Sequence, residues 1–246
     1  MELTFLHAFK GDVTGIPLPE EFTNPFCYEP HPLCQRATSE VQSYLSAQTE
    51  WSEELKQGKM FGVLVVQTDE GLRFLAAYSG LLQGRNDLPY FVPPVFDLLN
   101  PQGHFKVEEA QISAINHQLK ALTPETRNLL EIKAMKQERK RRSIALQHWI
   151  FEQFCMLNAS GEKRTLNQIF QEARHKAPPS GAGECAAPKL LQQAFLHRWK
   201  PICMAEFWWG ENSANHERQH RHYYPACEDK CRPILEYMLE KTFTSP

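Results

Sequence analysis

The chain has 246 residues, of which 42% are hydrophobic and 23% charged, a composition typical of a globular protein with ample material for a core. Its formal net charge of −2 excludes a global attraction for nucleic acid, so any such binding must come from a local patch. No apolar run approaches the roughly 18 residues that cross a bilayer, and no signal-peptide pattern opens the chain. Together with seven irregularly spaced cysteines, these features predict a cytoplasmic protein with reduced thiols and no membrane partner.

The N-terminal third combines a proline- and aromatic-rich arm with a β-hairpin. Residues 1–36 are predicted to lie as an extended arm over a core, because disordered segments lack such aromatic content. A helix follows, indicated by Ala37, Val41, Tyr44 and Leu45. The apolar runs 61–66 and 72–78 flank a turn at residues 69–71, and this pattern strongly predicts a hairpin.

The middle of the chain is helical. After a proline-rich connector at 89–101, helices are predicted at 107–119 and, without a breaker, from about Glu125 to Asn158. The second half of the longer helix carries an apolar stripe, whereas its first half is basic. We expect the basic residues to form an exposed face that binds RNA weakly and without sequence preference; the alternative is a solvated helix face. They are Lys136, Arg139, Lys140, Arg141 and Arg142.

The C-terminal third predicts alternating helices and strands. Thr165 to Gln168 has the spacing of a capping box and begins a short helix, and the apolar run 202–209 is typical of a buried strand. The sequence therefore predicts an α+β (mixed α/β) fold. It divides into an N-terminal hairpin-containing lobe (1–124), a linking basic helix (125–160) and a C-terminal α/β lobe (161–246).

Three cysteines stand at the starts of two predicted helices on either side of the strand. Cys185 opens the first helix, and Cys227 and Cys231 open the second. Since parallel-sheet connections bring successive helix N-termini to one edge, we expect the three thiols to converge. They are candidate ligands of zinc, with Glu184 and His222 as polar neighbours. The alternative is that they are buried thiols without a metal.

The order of these elements is similar to that of zinc-dependent nucleobase deaminases, in which three ligands hold the metal and a glutamate moves protons. Two details differ, since Ala187 stands where that glutamate is expected and three residues separate Cys227 from Cys231. A cationic loop precedes the second motif and could contact phosphate, supply a fourth ligand or be a solvated surface loop. It contains His216, Arg218, His220, Arg221 and His222.

Five blocks of the sequence resemble the long N-terminal extension of certain large bacterial RluA-type pseudouridine synthases. In those relatives the extension precedes a synthase domain, which isomerises uridine to pseudouridine in RNA without a metal or organic cofactor. The resemblance covers nearly the whole chain. Its blocks are Phe26–Cys34 (FCYEPHPLC), Gly58–Leu64 (GKMFGVL), Tyr90–Asp97 (YFVPPVFD), Gly181–Cys185 (GAGEC) and His222–Cys227 (HYYPAC).

The synthase motif, His-Arg-Leu-Asp followed by a Thr/Ser-Gly pair, occurs nowhere in this sequence, so no catalytic residue can be carried over. The resemblance therefore implies a non-catalytic, RNA-associated accessory domain that works with a pseudouridine synthase domain in cis or in trans. Such a chain is expected to make no pseudouridine alone. Two alternatives stay open: a zinc-binding, deaminase-like nucleobase enzyme, and a protein-interaction module whose prolines and aromatic residues dock a partner.

Overall fold

The computed structural model describes residues 3–27, 29–122, 129–213 and 217–240. It confirms the α+β class. The strands are β1 (Leu6–His7), β2 (Lys59–Thr68), β3 (Gly71–Tyr78), β4 (Cys155–Leu157), β5 (Lys163–Thr165), β6 (Lys200–Trp209) and β7 (Tyr223–Tyr224). The helices are α1 (Pro32–Ser46), α2 (Ser52–Lys56), α3 (His104–Ala121), α4 (Leu129–Gln153), α5 (Leu166–Arg174), α6 (Ala186–Leu196) and α7 (Arg232–Met238).

The main sheet has the strand order β1-β3-β2-β6-β7, and each neighbouring pair is antiparallel. The predicted β2–β3 hairpin is confirmed, with Thr68 paired to Gly71 at its turn. Strand β2 lies at the centre of the sheet, because its other edge pairs with β6 from Lys59 opposite Trp209 to Gln67 opposite Lys200. The sheet thus joins the two ends of the chain. The sequence led us to expect parallel connections in the C-terminal part. The described strands instead pair antiparallel.

Helices cover both faces of the sheet. On one face, α1 packs its apolar side against β2 and β6 in a core that includes Leu33, Phe61 and Phe207. On the other face, α6 lies across β2, β3 and β6. It can approach closely because β2 carries Gly62 there, where an added Cβ would come within 3.0 Å of the Ala186 Cβ. The start of α6 therefore rests directly on the sheet.

The chain forms two compact units, residues 1–95 with 155–246 and residues 96–154. This division differs from the three segments expected at 1–124, 125–160 and 161–246. Its physical reason is that β2 and β6 pair with each other, which places both ends of the chain in one unit. The second unit is the helical pair α3 and α4, in which the Trp149 ring contacts those of Phe96 and His104 at 5.9 and 4.6 Å between centroids.

The long predicted helix is shorter than expected. Residues 125–128 lie outside the described residues, and α4 ends at Gln153 rather than at Asn158. The next residues form β4, because they pair with β5 and because the Leu157 N–H donates to the Gln192 side chain at 2.9 Å. Tertiary contacts thus override a helical pattern. The predicted capping box of α5 is confirmed, with both of its hydrogen bonds present.

The N-terminal arm packs against the core through Phe9, Val13 and Ile16, as predicted, but it is shorter than the expected 1–36 because α1 begins at Pro32. Thr23 Oγ1 accepts a hydrogen bond from the Met204 N–H at 3.1 Å, and the Pro25 carbonyl accepts one from the Ala226 N–H at 2.9 Å. These contacts place residues 23–27 beside β6 and the approach to α7. Among the described helices, none combines the length and the apolar character that a membrane crossing needs.

Candidate metal centre

The three predicted cysteines meet in space. The sulfur atoms of Cys185, Cys227 and Cys231 all lie within 4.8 Å of one another. Cys185 is the N-cap of α6 and Cys231 the N-cap of α7, while Cys227 lies one turn before Cys231. The predicted convergence is therefore confirmed. No disulfide joins these cysteines, so each sulfur is free to bind a metal.

Backbone hydrogen bonds bring the two C-terminal sulfurs to the same side. The Cys227 carbonyl accepts from the N–H groups of Cys231 and Arg232, at 3.2 and 3.1 Å. This closes one turn of chain, and side chains four residues apart on such a turn lie one above the other. The i, i+4 spacing of Cys227 and Cys231 thus suits a shared ligand.

Cys185 is held in place from the end of β3. The Glu184 carbonyl accepts a hydrogen bond from the Gly80 N–H at 3.0 Å, and the Ala186 N–H donates to Ser79 Oγ at 3.3 Å. The preceding loop turns at Gly181 and Gly183, whose φ angles of +73° and +85° favour glycine. The thiols therefore converge through antiparallel pairing and this anchor, and not through the parallel connections assumed from the sequence.

The three thiols differ in the direction in which their pKa values are shifted. Hydrogen bonds from the thiols of Cys185 and Cys231 lower the pKa of Cys227 far below its ordinary value, and the N–H groups of Lys230 and Cys231 act in the same direction. The hydrogen bond to Cys227, and then burial, raise the pKa of Cys185, whereas the pKa of Cys231 is raised by its hydrogen bonds to Cys185 and Cys227 and by burial. The cluster therefore favours the thiolate form at Cys227, and a divalent cation would displace the remaining protons.

Two buried charged side chains flank the thiols. Lys189 lies in α6, where its ammonium donates to the Tyr78 carbonyl and stands 4.7 Å from the centre of the Tyr78 ring. Burial lowers the pKa of Lys189 to about 8, and the charges of Glu184 and Cys185 oppose this shift. The other is Glu206 in β6, which is 7% exposed; burial first, and then the charge of Cys227, raise the pKa of its carboxyl group to about 7.

Sequence reasoning gave no place in the site to Glu206, whose carboxyl group is buried and interacts with the charge of Cys227. It stands within the apolar run 202–209, where we assigned only a buried strand. Its signal is that a lone acid interrupts that run, opposite Gly62 in the neighbouring strand. The pairing with Gly62 could not be read from the sequence, because the two residues lie far apart along the chain.

The polar neighbours named from the sequence are not among the clustered ligand atoms. Neither Glu184 nor His222 belongs to the group of ligand atoms within 4.8 Å of one another. The Glu184 carbonyl accepts the hydrogen bond from Gly80, and the Glu184 charge raises the pKa of Lys189. His222 is an exposed residue whose Nδ1 atom lies 3.2 Å from the His220 carbonyl oxygen. His216 lies outside the described residues. In the same loop, Arg218 and Arg221 stack over Trp208 and Trp209.

The five basic residues of α4 do not share one face. Helical geometry places Lys136, Arg139 and Lys140 together, and they line an open groove of about 590 Å³ between α3 and α4. Arg141 and Arg142 do not line this groove; both form ion pairs with Glu138, at 2.7 and 2.8 Å, and Arg142 also pairs with Glu108 of α3 at 2.9 Å. The charges of Arg141 and Arg142 are therefore partly neutralised by carboxylates of α3 and α4.

The donor set is suited to zinc. Thiolates are soft ligands that zinc prefers, and a tetrahedral site with bonds of about 2.3 Å spaces its sulfurs about 3.8 Å apart. The observed limit of 4.8 Å requires only small side-chain movements to reach that spacing. Neither a family model, nor a curated protein, nor a solved structure matches this chain, so no relative assigns a role to the cluster.

Proposed function

We propose that this chain is a zinc-binding module in which Cys185, Cys227 and Cys231 hold one Zn²⁺ ion. The observation that carries the proposal is the convergence of three sulfurs within 4.8 Å from two helix starts. One thiolate is already favoured there, and the buried ammonium of Lys189 offsets part of the negative charge that three thiolates bring. The metal would tie the start of α6 to that of α7, which no disulfide does.

Elemental analysis tests this proposal. Protein purified without chelator is expected to contain one zinc ion per chain, and Cys185→Ser or Cys227→Ser should reduce the content to less than a tenth of that. The matched control is Cys155→Ser, because Cys155 is exposed and lies outside the cluster. Zinc that is absent from the unaltered protein, or retained in full by both variants, would overturn the proposal.

We also propose that the module is the RNA-associated accessory domain of a pseudouridine synthase system, as its resemblance to RluA-type extensions implies. The structural observation that favours RNA is the groove of the second unit. Its exposed basic residues Lys136, Arg139 and Lys140 stand on one side of α4, and Arg139 is oriented by a 2.9 Å hydrogen bond to Asn116. Cations so arranged neutralise phosphates whatever the base sequence.

Salt titration of RNA binding measures this contribution. Replacing Lys136, Arg139 and Lys140 together by Gln should weaken binding and reduce the slope of log K against log salt by about 2, since each phosphate contact contributes about 0.7 to 0.9. A charge-matched control replaces Lys163, Lys176 and Lys200, which are exposed residues of the other unit. Equal slopes for the two triple variants would contradict a role for the α4 groove.

The deaminase-like alternative has less structural support. Ala187 stands where the proton-moving glutamate of the deaminases is expected, and the cavity beside Glu206 is lined by none of the three clustered cysteines. Zinc binding is therefore the part of the deaminase comparison that the described geometry favours.

A further inference from the structure

An open pocket lies between the end of β6 and the residues that lead from α1 into α2. Its volume of about 440 Å³ falls within the range of roughly 300–1,000 Å³ that small-molecule sites occupy. The walls are mainly apolar and come from Leu45, Leu55 and Trp209, while His220 and polar side chains of residues 46–52 stand beside them. None of the three clustered cysteines lines this pocket, so it is separate from the proposed metal centre.

His220 presents a neutral imidazole ring at this pocket. Its Nδ1 atom accepts a hydrogen bond from the Gly210 N–H at 3.0 Å, which leaves the proton on Nε2. Burial, and then the charge of Arg221, lower the pKa of His220. The ring lies against the Trp209 indole, with 4.5 Å between the two ring centres. The pocket therefore has an aromatic wall with an N–H donor, the Nε2 group, to which no acceptor among the described residues is bonded.

Arg221 holds a positive charge beside the same indole. Its guanidinium carbon stands 5.2 Å from the centre of the Trp209 ring. The backbone of Arg221 has a φ of +64°, in the left-handed region that a non-glycine residue adopts only under constraint. The constraint is a hydrogen bond of 2.7 Å from the Arg221 N–H to the Trp208 carbonyl. The stacked guanidinium and the bonded backbone together fix the place of this charge.

No carboxylate of the described residues neutralises Arg221, which is exposed and forms no ion pair within that part of the chain. The other cation of the pocket is Lys56, which is paired with Glu53 at 2.5 Å and also feels the charge of Glu211. A guanidinium offers its N–H donors in a planar fork that matches the oxygens of a phosphate. The charge of Arg221 therefore favours an anionic ligand at this pocket.

We propose that this pocket binds a nucleotide, with the base against the wall of Trp209 and His220 and the phosphate on Arg221. A base has the flat surface that stacks on aromatic side chains, and the phosphate has the charge that complements the guanidinium. Inorganic phosphate alone would leave the apolar walls uncovered. The nucleotide is a free molecule or one residue of a single-stranded RNA, since both present the same base and phosphate. This inference depends on neither the zinc site nor the α4 groove.

Calorimetric titration of the protein as purified tests the pocket. AMP and UMP are the probes for a free nucleotide, and adenosine and uridine should bind at least tenfold more weakly because they lack the phosphate. A short single-stranded RNA is the probe for the other source, titrated into the variant in which Lys136, Arg139 and Lys140 are replaced by Gln. Binding of AMP or UMP would assign the pocket to a free nucleotide, and binding of the RNA alone would assign it to an RNA strand. If neither binds, the inference is overturned, while the zinc proposal and the α4 groove are unaffected.

Two arginine variants test the residue assigned to the phosphate. Arg221→Gln keeps a polar side chain but removes the charge, so the ligand that binds should bind at least tenfold more weakly. Arg218→Gln is the matched control, because Arg218 stands over Trp208, at 5.3 Å, and successive side chains of a strand point to opposite faces. Its affinity should equal that of the unaltered protein, and urea unfolding of both variants verifies the fold. Unchanged affinity in Arg221→Gln, or an equal loss in the two variants, would overturn the inference.

Discussion

Removal of the proposed zinc ion is expected to lower the free energy of unfolding by about 4 kcal/mol when the comparison is made with free zinc near 1,000 times its dissociation constant. The reason is that the folded state presents three converged thiols, whereas the unfolded chain separates them. Without the metal, the thiolate of Cys227 also stays close to the buried carboxyl group of Glu206. Urea titrations of the zinc-loaded and chelator-treated protein measure the difference.

Cys227→Ser makes the same comparison without chelator. Its unfolding free energy should match that of the chelated protein and should not respond to added zinc. Cys155→Ser, by contrast, should keep the full response, because Cys155 has no part in the cluster. A zinc response of equal size in both variants would mean that the stabilising metal binds elsewhere.

Gly210→Ala is expected to destabilise the protein by about 3 kcal/mol or more, since it combines strain with a backbone clash. Gly210 follows β6 with φ +121°, and an added Cβ would lie 2.0 Å from the Leu55 carbonyl oxygen and 2.5 Å from Gly58 Cα. Backbone atoms cannot rotate away as a flexible side chain can. The ends of β2 and β6 would have to separate where Lys59 pairs with Trp209.

Gly84→Ala is the matched control for this substitution. Gly84 also has a positive φ, +65°, but nothing lies within 4 Å of its added Cβ. Only the conformational penalty of about 1 kcal/mol then applies. Urea unfolding of the two variants should differ by about 2 kcal/mol, and equal losses would show that the close approach at Gly210 is readily relieved.

Features set by neighbouring residues could be predicted from the sequence. The hairpin of β2 and β3 follows from two apolar runs around a short turn, and the α5 cap follows from the spacing of Thr165 and Gln168. Helix α1 likewise follows from its apolar spacing. Each of these features depends on contacts between residues that are close together in the sequence. The spacing of apolar and capping residues is sensitive to contacts of this short range.

Features set by distant pairing could not be predicted in the same way. The residues after Gln153 continue a helical pattern, yet they form β4 because Gln192 and β5 offer them hydrogen bonds. The convergence of the cysteines was predicted, but for a parallel sheet that the described strands do not form. The position of Glu206 opposite Gly62 depends on the same β2–β6 pairing. Its spatial neighbours therefore could not be predicted from the sequence.

The antiparallel pairing of β2 with β6 also constrains how the chain can fold during synthesis. The β2–β3 hairpin leaves the ribosome early, but the strand that covers the free edge of β2 follows only after α3 to α6. Until then an apolar strand edge is open to other nascent chains, whereas the local helical pair of α3 and α4 can already form. A chain interrupted before β6 would keep that edge exposed, so its dependence on chaperones should fall sharply once β6 has been translated.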